Sequence, residues 1–193
     1  MAYSFRKIRF SDAMKFSKWG KHDDVRFYQY NFPFEEKIEY EQWFFFKQKL
    51  IRKKIYGLFD TENNPVGFIT LKNIKWFKRS AEMGIAINPD QLGEGLGRVL
   101  IKAYLAYIFK TYPINTMRLR VATFNVRAQK CYQSCGFSNI TKRVEPFEEQ
   151  SFKMEIMAMY PDQFYIKNNI LYTDFFVMEI DKKTFLNHQK NLS

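Results

Sequence analysis

"PDQLGEGLGRVL" (Pro89–Leu100) sets glycines at every second position, Gly93, Gly95 and Gly97, directly before an apolar helical pattern. A backbone that bare at a helix start serves either a tight turn or an anion cradle. The first N–H groups of a helix lack intrahelical acceptors and carry partial positive charge. Glycine lets them turn toward a ligand with no Cβ in the way, and a phosphate fits there. Two familiar phosphate loops fail on spacing. Counted from Gly93, the dinucleotide pattern G-x-G-x-x-G needs glycine where Arg98 stands. Its acidic residue, about twenty places on, falls among Asn115, Thr116, Met117 and Arg118. The Gly-Lys-Ser/Thr of a nucleoside-triphosphate loop is absent.

Upstream of the loop, "AEMGIAINP" reads as a strand from Ala81 to Asn88, stopped by Pro89. Downstream, "RVLIKAYLAYIFKTY" reads as a helix, with Leu100, Ala103, Tyr104 and Tyr107 at i, i+3, i+4, i+7, and Pro113 ends it. "TMRLRVATFN" is a further strand, "VRAQKCYQSCGF" a helix closed by Gly136, and "SNITKRV" starts another strand. Toward the N-terminus, "SFRKIRF" is a first strand with Phe5, Ile8 and Phe10 as apolar members. "SDAMKFSKWG" is a short helix capped by Ser11 or Asp12 and ended by Gly20. A second helix runs from about Phe34 to Leu50, acidic at its start and basic at its end. Trp43, Phe44, Phe45 and Phe46 are too many rings for one narrow stripe, so part of it is expected to face a pocket. "KKIYGLFD" and "VGFITLKNI" are strands joined by the turn chemistry of "TENNP". Between Glu145 and Asn169 the pattern blurs: "SFKMEIMAMY" fits strand or helix, and "NILYTDFFVMEI" reads as a final strand. This order gives a mixed α/β (α+β) domain over residues 1–193, with one central sheet of about six to seven strands flanked by helices.

The bulk numbers agree. A chain of 193 residues suits one domain, and 46% hydrophobic against 26% charged residues supports a packed core. Aromatics at 19% point to a ring-rich core or a pocket walled by rings. The net charge of +11 favours anionic partners (nucleic acid, acidic lipid or a polyphosphate cofactor) and repels polyamines. No nucleic-acid recognition motif or dense basic stripe accompanies that charge, so nucleic acid is not the expected partner. Cys131 and Cys135, with only His22 and His188 elsewhere, lack the ligand sets of a metal site, and two ordinary thiols are expected. "MAYSFRKIRF" has no apolar run of a signal peptide, and no stretch approaches a membrane span, so a soluble, cytoplasmic protein is expected.

The strand, the "LGEGLG" loop, the helix, the strand "MRLRVATFN" and then "NVRAQKCYQSCGF" together resemble the GNAT superfamily of N-acetyltransferases. The resemblance covers about Phe5 to Phe137, with a last strand near Leu171 to Ile180. In style it is similar to the branch with ribosomal-protein N-terminal acetyltransferases. The family loop, (Gln or Arg)-x-x-Gly-x-(Gly or Ala), puts Leu92 first, Gly95 fourth and Gly97 sixth. Leu92 and Glu94 depart from its usual side chains. The pattern Asn-x-x-Ala-x-x-x-Tyr-x-x-x-Gly-Phe fits Asn125, Ala128, Tyr132, Gly136 and Phe137. Asn125 also reads as a helix N-cap.

The resemblance implies a GNAT fold with a splayed central strand pair and acetyl-CoA as cosubstrate, without a metal. The cofactor would lie on Ile85, Ala86 and Ile87 of the splayed strand, on the loop Leu92, Gly93, Glu94, Gly95, Leu96, Gly97 and Arg98, and on Asn125, Ala128 and Tyr132. Lys102 and Arg127 are further candidates for its phosphates. One backbone N–H of residues 85–87 would hold the oxyanion. Glu82 would remove the amine proton, usually through water, and Tyr132 would protonate the leaving thiolate. The acceptor is a primary amine, be it a protein N-terminus, an amino sugar or another small amine. "VRFYQYNFPF" and the Met154, Met157 and Met159 segment are candidate pocket walls. A monomer or homodimer is expected. Leu92 and Glu94 keep open an alternative, a non-catalytic acyl-CoA-binding module of the same fold.

Overall fold

The computed structural model describes residues 3–49 and 54–190. The first half holds β1 (Ser4–Lys7), α1 (Phe10–Ala13), α2 (Lys37–Lys49), β2 (Lys54–Phe59), β3 (Pro65–Lys75) and β4 (Ser80–Ile87). The second half holds α3 (Leu96–Thr111), β5 (Thr116–Ala122), α4 (Val126–Gln133), β6 (Ser138–Pro146), α5 (Lys153–Met159), β7 (Phe164–Lys167), β8 (Ile170–Asp181) and α6 (Lys182–Lys190). Short 3-10 turns cover Met14–Lys18, Val25–Tyr30 and Pro89–Gln91.

The strands make one eight-stranded sheet in the order β1-β2-β3-β4-β5-β8-β6, with β7 paired to β8. Every described pairing is antiparallel except β4 with β5. That parallel pair is brief: Ser80, Ala81 and Glu82 face Thr116, Met117 and Arg118. Beyond it β4 stays on β3 as far as Ile87, and β5 stays on β8 as far as Ala122. The two strands therefore part while each keeps its outer neighbour, and the sheet opens in its middle.

The core has three apolar clusters. On one face α3 buries Leu100, Ile101, Tyr104, Leu105 and Ile108 against Leu58, Ile69, Leu71, Met83 and Met117. Its inward stripe is Leu100, Ile101, Tyr104, Leu105, Ile108 and Phe109, so Ala103 is half-buried and Tyr107 exposed. On the other face Phe16, Trp19, Tyr40 and Phe44 pack on Ile55, Phe59 and Phe68. The third cluster joins Val25, Ala122, Phe147, Ile156, Phe164, Leu171 and Phe175.

Several expectations shift. Asp12 stands at the third position of α1, not at its cap, and accepts the Arg9 N–H at 2.8 Å. The second helix starts at Lys37, because Glu39 takes the N–H groups of Glu35 and Glu36, each at 2.9 Å, ahead of the first turn. Leu50, its expected end, lies outside the described residues. Phe44 of that helix is buried and Phe45 and Phe46 are exposed; none of the four rings reaches the cleft described below. The segment "SFKMEIMAMY" is helical in α5, and β7 is the strand that brings the sheet to eight. Asn168 and Asn169, with φ of 50° and 63°, form the tight β7–β8 turn. The residues after Ile180 add α6, whose start is capped by Asp181: Thr184 donates to it through N–H (2.9 Å) and hydroxyl (2.7 Å).

Candidate active site

Where β4 and β5 part, a cleft of about 320 Å³ opens. Its first wall is β4. Asn88 donates its N–H to Val66 of β3. Backbone groups alternate along an antiparallel strand, so Ala86 and Gly84 also face β3, and Ile85 and Ile87 turn their N–H groups toward the opening. All three of Ile85, Ala86 and Ile87 line the cleft.

The second wall is the glycine loop. Gly93 and Gly95 have φ of +97° and +80°, which an L side chain resists. Gly95 is the N-cap of α3 and has no side chain to offer. Among the described residues no acceptor takes the N–H groups of Gly93, Gly95, Leu96 or Gly97. Gly97 is bare for a different reason: a Cβ there would stand 3.1 Å from Cys131 Sγ, so glycine lets α3 and α4 approach. Leu92, Gly93, Gly95, Leu96, Gly97 and Arg98 line the cleft, whereas the Glu94 side chain is exposed and outside the lining.

The third wall is α4. Asn125 Oδ1 accepts the Ala128 N–H at 3.1 Å, so the N-cap role is real. Asn125, Arg127, Ala128, Lys130, Cys131 and Tyr132 reach the cleft. Tyr132 is buried, and burial pushes its phenol well above the ordinary tyrosine value, with Tyr30 and the two thiols adding to the effect. Cys131 and Cys135 are free thiols.

The roof comes from residues 20–31, an irregular stretch held by side chains. Gly20 donates its N–H to Asp90 Oδ2 at 2.9 Å, tying the stretch to the end of β4. Asn31 accepts the His22 N–H at 2.7 Å and donates to the His22 carbonyl at 3.2 Å. His22, Phe27 and Tyr30 line the cleft, and the imidazole packs 5.4 Å from the Phe27 ring. Burial, then the charge of Arg127, lowers the His22 pKa below 6.5; Asp24 and Asp23 oppose this less strongly. Tyr30 is exposed as a residue, but desolvation of its hydroxyl raises it to about 12, with Glu148 second.

Behind Tyr30 and Tyr132 lies a recess of about 40 Å³. Its rings are Phe27, Tyr30, Phe124, Tyr132, Phe147 and Phe175, and its polar members are Arg26, Gln29, Asn125, Arg120 and Glu148. Arg26 donates to both oxygens of Asp24. Arg120 engages Glu145 and Glu148.

Glu82 does not join this site. It lies where β4 still pairs with Arg118 of β5, before the strands part, and Asn73 Nδ2 donates to its carboxylate at 2.7 Å. The methionine segment also stays out of the lining: Met154 and Met159 are exposed, and Met157 packs on the third cluster behind the roof. Phe27 and Tyr30, inside "VRFYQYNFPF", are the part of the expected wall that faces the cleft. His22 carried no sequence signal beyond its chemistry, because a lone histidine in an irregular stretch has no periodicity to place it.

An acetyltransferase (GNAT) domain model matches residues 4–138. A spermidine N(1)-acetyltransferase of Vibrio cholerae is 34% identical over 101 residues, 52% of this chain and 58% of that protein, so the match spans little more than half of the relative's length. A kanamycin resistance protein of Rhizobium radiobacter is 27% identical over 75 residues, 36% of this chain and 69% of that one. The crystal structure of a Vibrio cholerae spermidine N-acetyltransferase in complex with CoA and spermine superposes with a TM-score of 0.71 at 25% identity, covering 96% of this chain and 98% of that one. The two Vibrio relatives correct the finer resemblance, since they are spermidine acetyltransferases and not ribosomal-protein acetyltransferases. No helix among the described residues is long and apolar enough to cross a membrane. With its domain model spanning β1 to the start of β6, the sheet open between β4 and β5, and the glycine loop on that opening, the chain belongs to the GNAT acetyltransferase family.

Proposed function

We propose that the protein transfers the acetyl group of acetyl-CoA to an amine by direct attack through a tetrahedral intermediate. The observation that carries this reading is one cleft lined by the bare amides at the start of α3, the unpaired edge of β4 and the buried phenol of Tyr132. The amides of Gly93–Gly97 and the charge of Arg98 receive the pyrophosphate. The edge of β4 receives the pantetheine arm, and an N–H of Ile85 or Ile87 donates to the oxyanion. Asn125 and Ala128 fix the first turn of α4, and so set where Tyr132 stands two turns later.

The amine nitrogen bonds to the carbonyl carbon and loses a proton, the C–S bond then breaks, and the sulfur gains a proton from the Tyr132 hydroxyl. His22 takes the amine proton, directly or through water. It lines the cleft and its surroundings hold it neutral, whereas Glu82 lies outside the lining. Solvent returns the phenol proton.

The test is calorimetry with CoA followed by thiol release over an amine panel. CoA binding is expected, and Tyr132→Phe should lower kcat by about a hundredfold with the CoA affinity kept. The alternative acyl-CoA-binding module, for which Leu92 in the lining speaks, would bind CoA with no thiol release for any amine. Absence of CoA binding would sink both. The named Vibrio relatives bring spermidine forward as acceptor.

A further inference from the structure

The hairpin between β3 and β4 turns at "KWFKR" (Lys75–Arg79). Turns are ordinarily built from Gly, Asn, Asp, Ser and Pro, which sit comfortably in water. Here Phe77 is fully exposed at 106% and Trp76 is 45% exposed, beside exposed Lys75, Lys78 and Arg79. The tip is firmly held. The Arg79 N–H donates to the Trp76 carbonyl at 3.0 Å and closes the turn. The Arg79 carbonyl accepts the N–H groups of Asn115 (2.6 Å) and Thr116 (3.2 Å), which moors the hairpin to the start of β5. Arg79 Nε donates to the Pro113 carbonyl at 3.3 Å. Arg79 has a φ of 49°, and Asn73, at the register shift between Lys72 and Lys75, has one of 51°. The fold therefore holds two strained residues in place and leaves two rings in water. Covering such rings is among the larger gains a surface can make.

The composition of the tip selects what covers it. From Lys72 to Ala81 the chain carries Lys72, Lys75, Lys78 and Arg79 and no Asp or Glu. Glu82 is the next carboxylate on β4, and Asn73 donates to it at 2.7 Å. A second copy of the chain fits poorly, since an isologous contact sets these cations against the same cations. The two rings offer about 300 Å², where a stable interface takes about 800 Å² per partner. Single-stranded nucleic acid is held in a basic groove that tracks its backbone, and the tip lines neither the cleft nor the recess. An anionic bilayer needs no groove. Its acyl region takes the Phe77 ring, and its headgroup level suits the Trp76 indole. Its acidic headgroups meet the cations, whose stems lie along apolar surface. Such a contact lies on the membrane and needs no helix that crosses it.

We propose that the Lys75–Arg79 tip docks the protein on a bilayer surface rich in acidic phospholipid, with Phe77 inserted and Lys75, Lys78 and Arg79 on the headgroups. β4 starts beside this tip and reaches the cleft at Ile85, about 17 Å along the strand. A docked molecule thus keeps its cleft open. The docking does not rest on the acetyl-transfer reading.

Co-sedimentation with phosphatidylcholine vesicles, plain or with about a third phosphatidylserine, reads the contact at about 0.1 M salt. The protein is expected on the acidic vesicles and not on the plain ones. Phe77→Ser should lower the partition coefficient at least about tenfold. Lys75→Gln and Lys78→Gln should each lower it about fivefold. All three variants should keep the wild-type Tm and CoA affinity, since these side chains are exposed and outside the cleft. Trp76 fluorescence should shift to the blue on acidic vesicles, and Trp76→Phe should lose the shift while still binding. Net charge alone would also draw the protein to acidic vesicles, so Phe77→Ser decides: undiminished binding by this variant overturns the proposal. Absence of the wild-type protein from acidic vesicles overturns it too. So does a single-stranded oligonucleotide that binds through Phe77 in preference to the vesicles, or a Phe77-dependent dimer in sedimentation velocity. Failure of CoA to bind sinks the transferase reading and leaves the docking intact.

Discussion

At the scale of residues, burial favours the neutral form of both Tyr132 and His22, and the same effect gives them opposite tasks. At neutral pH the phenol therefore still holds its proton and the imidazole its lone pair, although the same shifts make the phenol a weaker acid and the imidazole a weaker base. The groups facing His22 are Arg127 from α4, Asp23 and Asp24 from its own stretch, and the Phe27 and Tyr30 rings. The net direction is downward, so His22 is neutral above its lowered pKa and charges only as pH falls through it. The kcat/KM profile should show an acid limb with a midpoint below 6.5. His22→Gln should abolish that limb, and Arg127→Gln should move it upward. Glu82→Gln should leave it in place, since Glu82 is bonded to Asn73 outside the cleft. A limb that survives in His22→Gln and disappears in Glu82→Gln would return the base to β4. The same shift has a consequence for stability. The unfolded chain binds this proton more tightly than the folded one, so the contribution of His22 is present above the unfolded value and is lost as pH falls.

At the scale of elements, the starts of two helices build the cofactor wall by different means. The α4 start is closed by a side chain, Asn125 Oδ1 on the Ala128 N–H. The α3 start is left open by Gly95, whose φ of +80° points the amides outward. Asn125→Ala should cost about 1 kcal/mol of stability, with a Tm lower by roughly 2–4 °C for a chain of this size. Gly95→Ala meets nothing within 4 Å, so its cost is backbone strain, about 1–2 kcal/mol. Any relief of that strain turns the amides away, so CoA affinity should fall in Gly95→Ala by more than in Asn125→Ala. Equal CoA affinities for the two variants, measured by calorimetry, would remove the open helix start from the cofactor site. The elements around the loop were legible because each has a period or a stop. "AEMGIAINP" ends at a proline, and α3 carries a helical apolar stripe. Leu100 and Tyr104 of the expected stripe are buried, but Ala103 and Tyr107 are not, since they fit the spacing as well as Ile101 and Phe109 do. Only contact with the sheet distinguishes them. α5 and β7 are not legible, because "SFKMEIMAMY" satisfies both periods and β7 has only four residues before the Asn168–Asn169 turn.

At the scale of the whole molecule, the charge of +11 acts over distances longer than any single contact. It should draw in a polyphosphate cosubstrate, and salt should weaken that attraction. The KM for acetyl-CoA is expected to rise severalfold between about 0.05 and 0.5 M salt, while the KM for a singly charged amine changes little. A salt-independent acetyl-CoA KM would separate the net charge from cofactor capture. The sequence by itself determined the glycine loop, the Asn125 to Phe137 pattern and the alternation of strands and helices, because these depend on backbone preference and on short, fixed spacings. Tertiary structure alone decided where β4 and β5 part, that Glu82 falls before that point, and that His22 lines the cleft. Those facts depend on pairings between strands far apart in the chain and on an irregular stretch held by Asp90, Asn31 and Asp24, for which no local period exists.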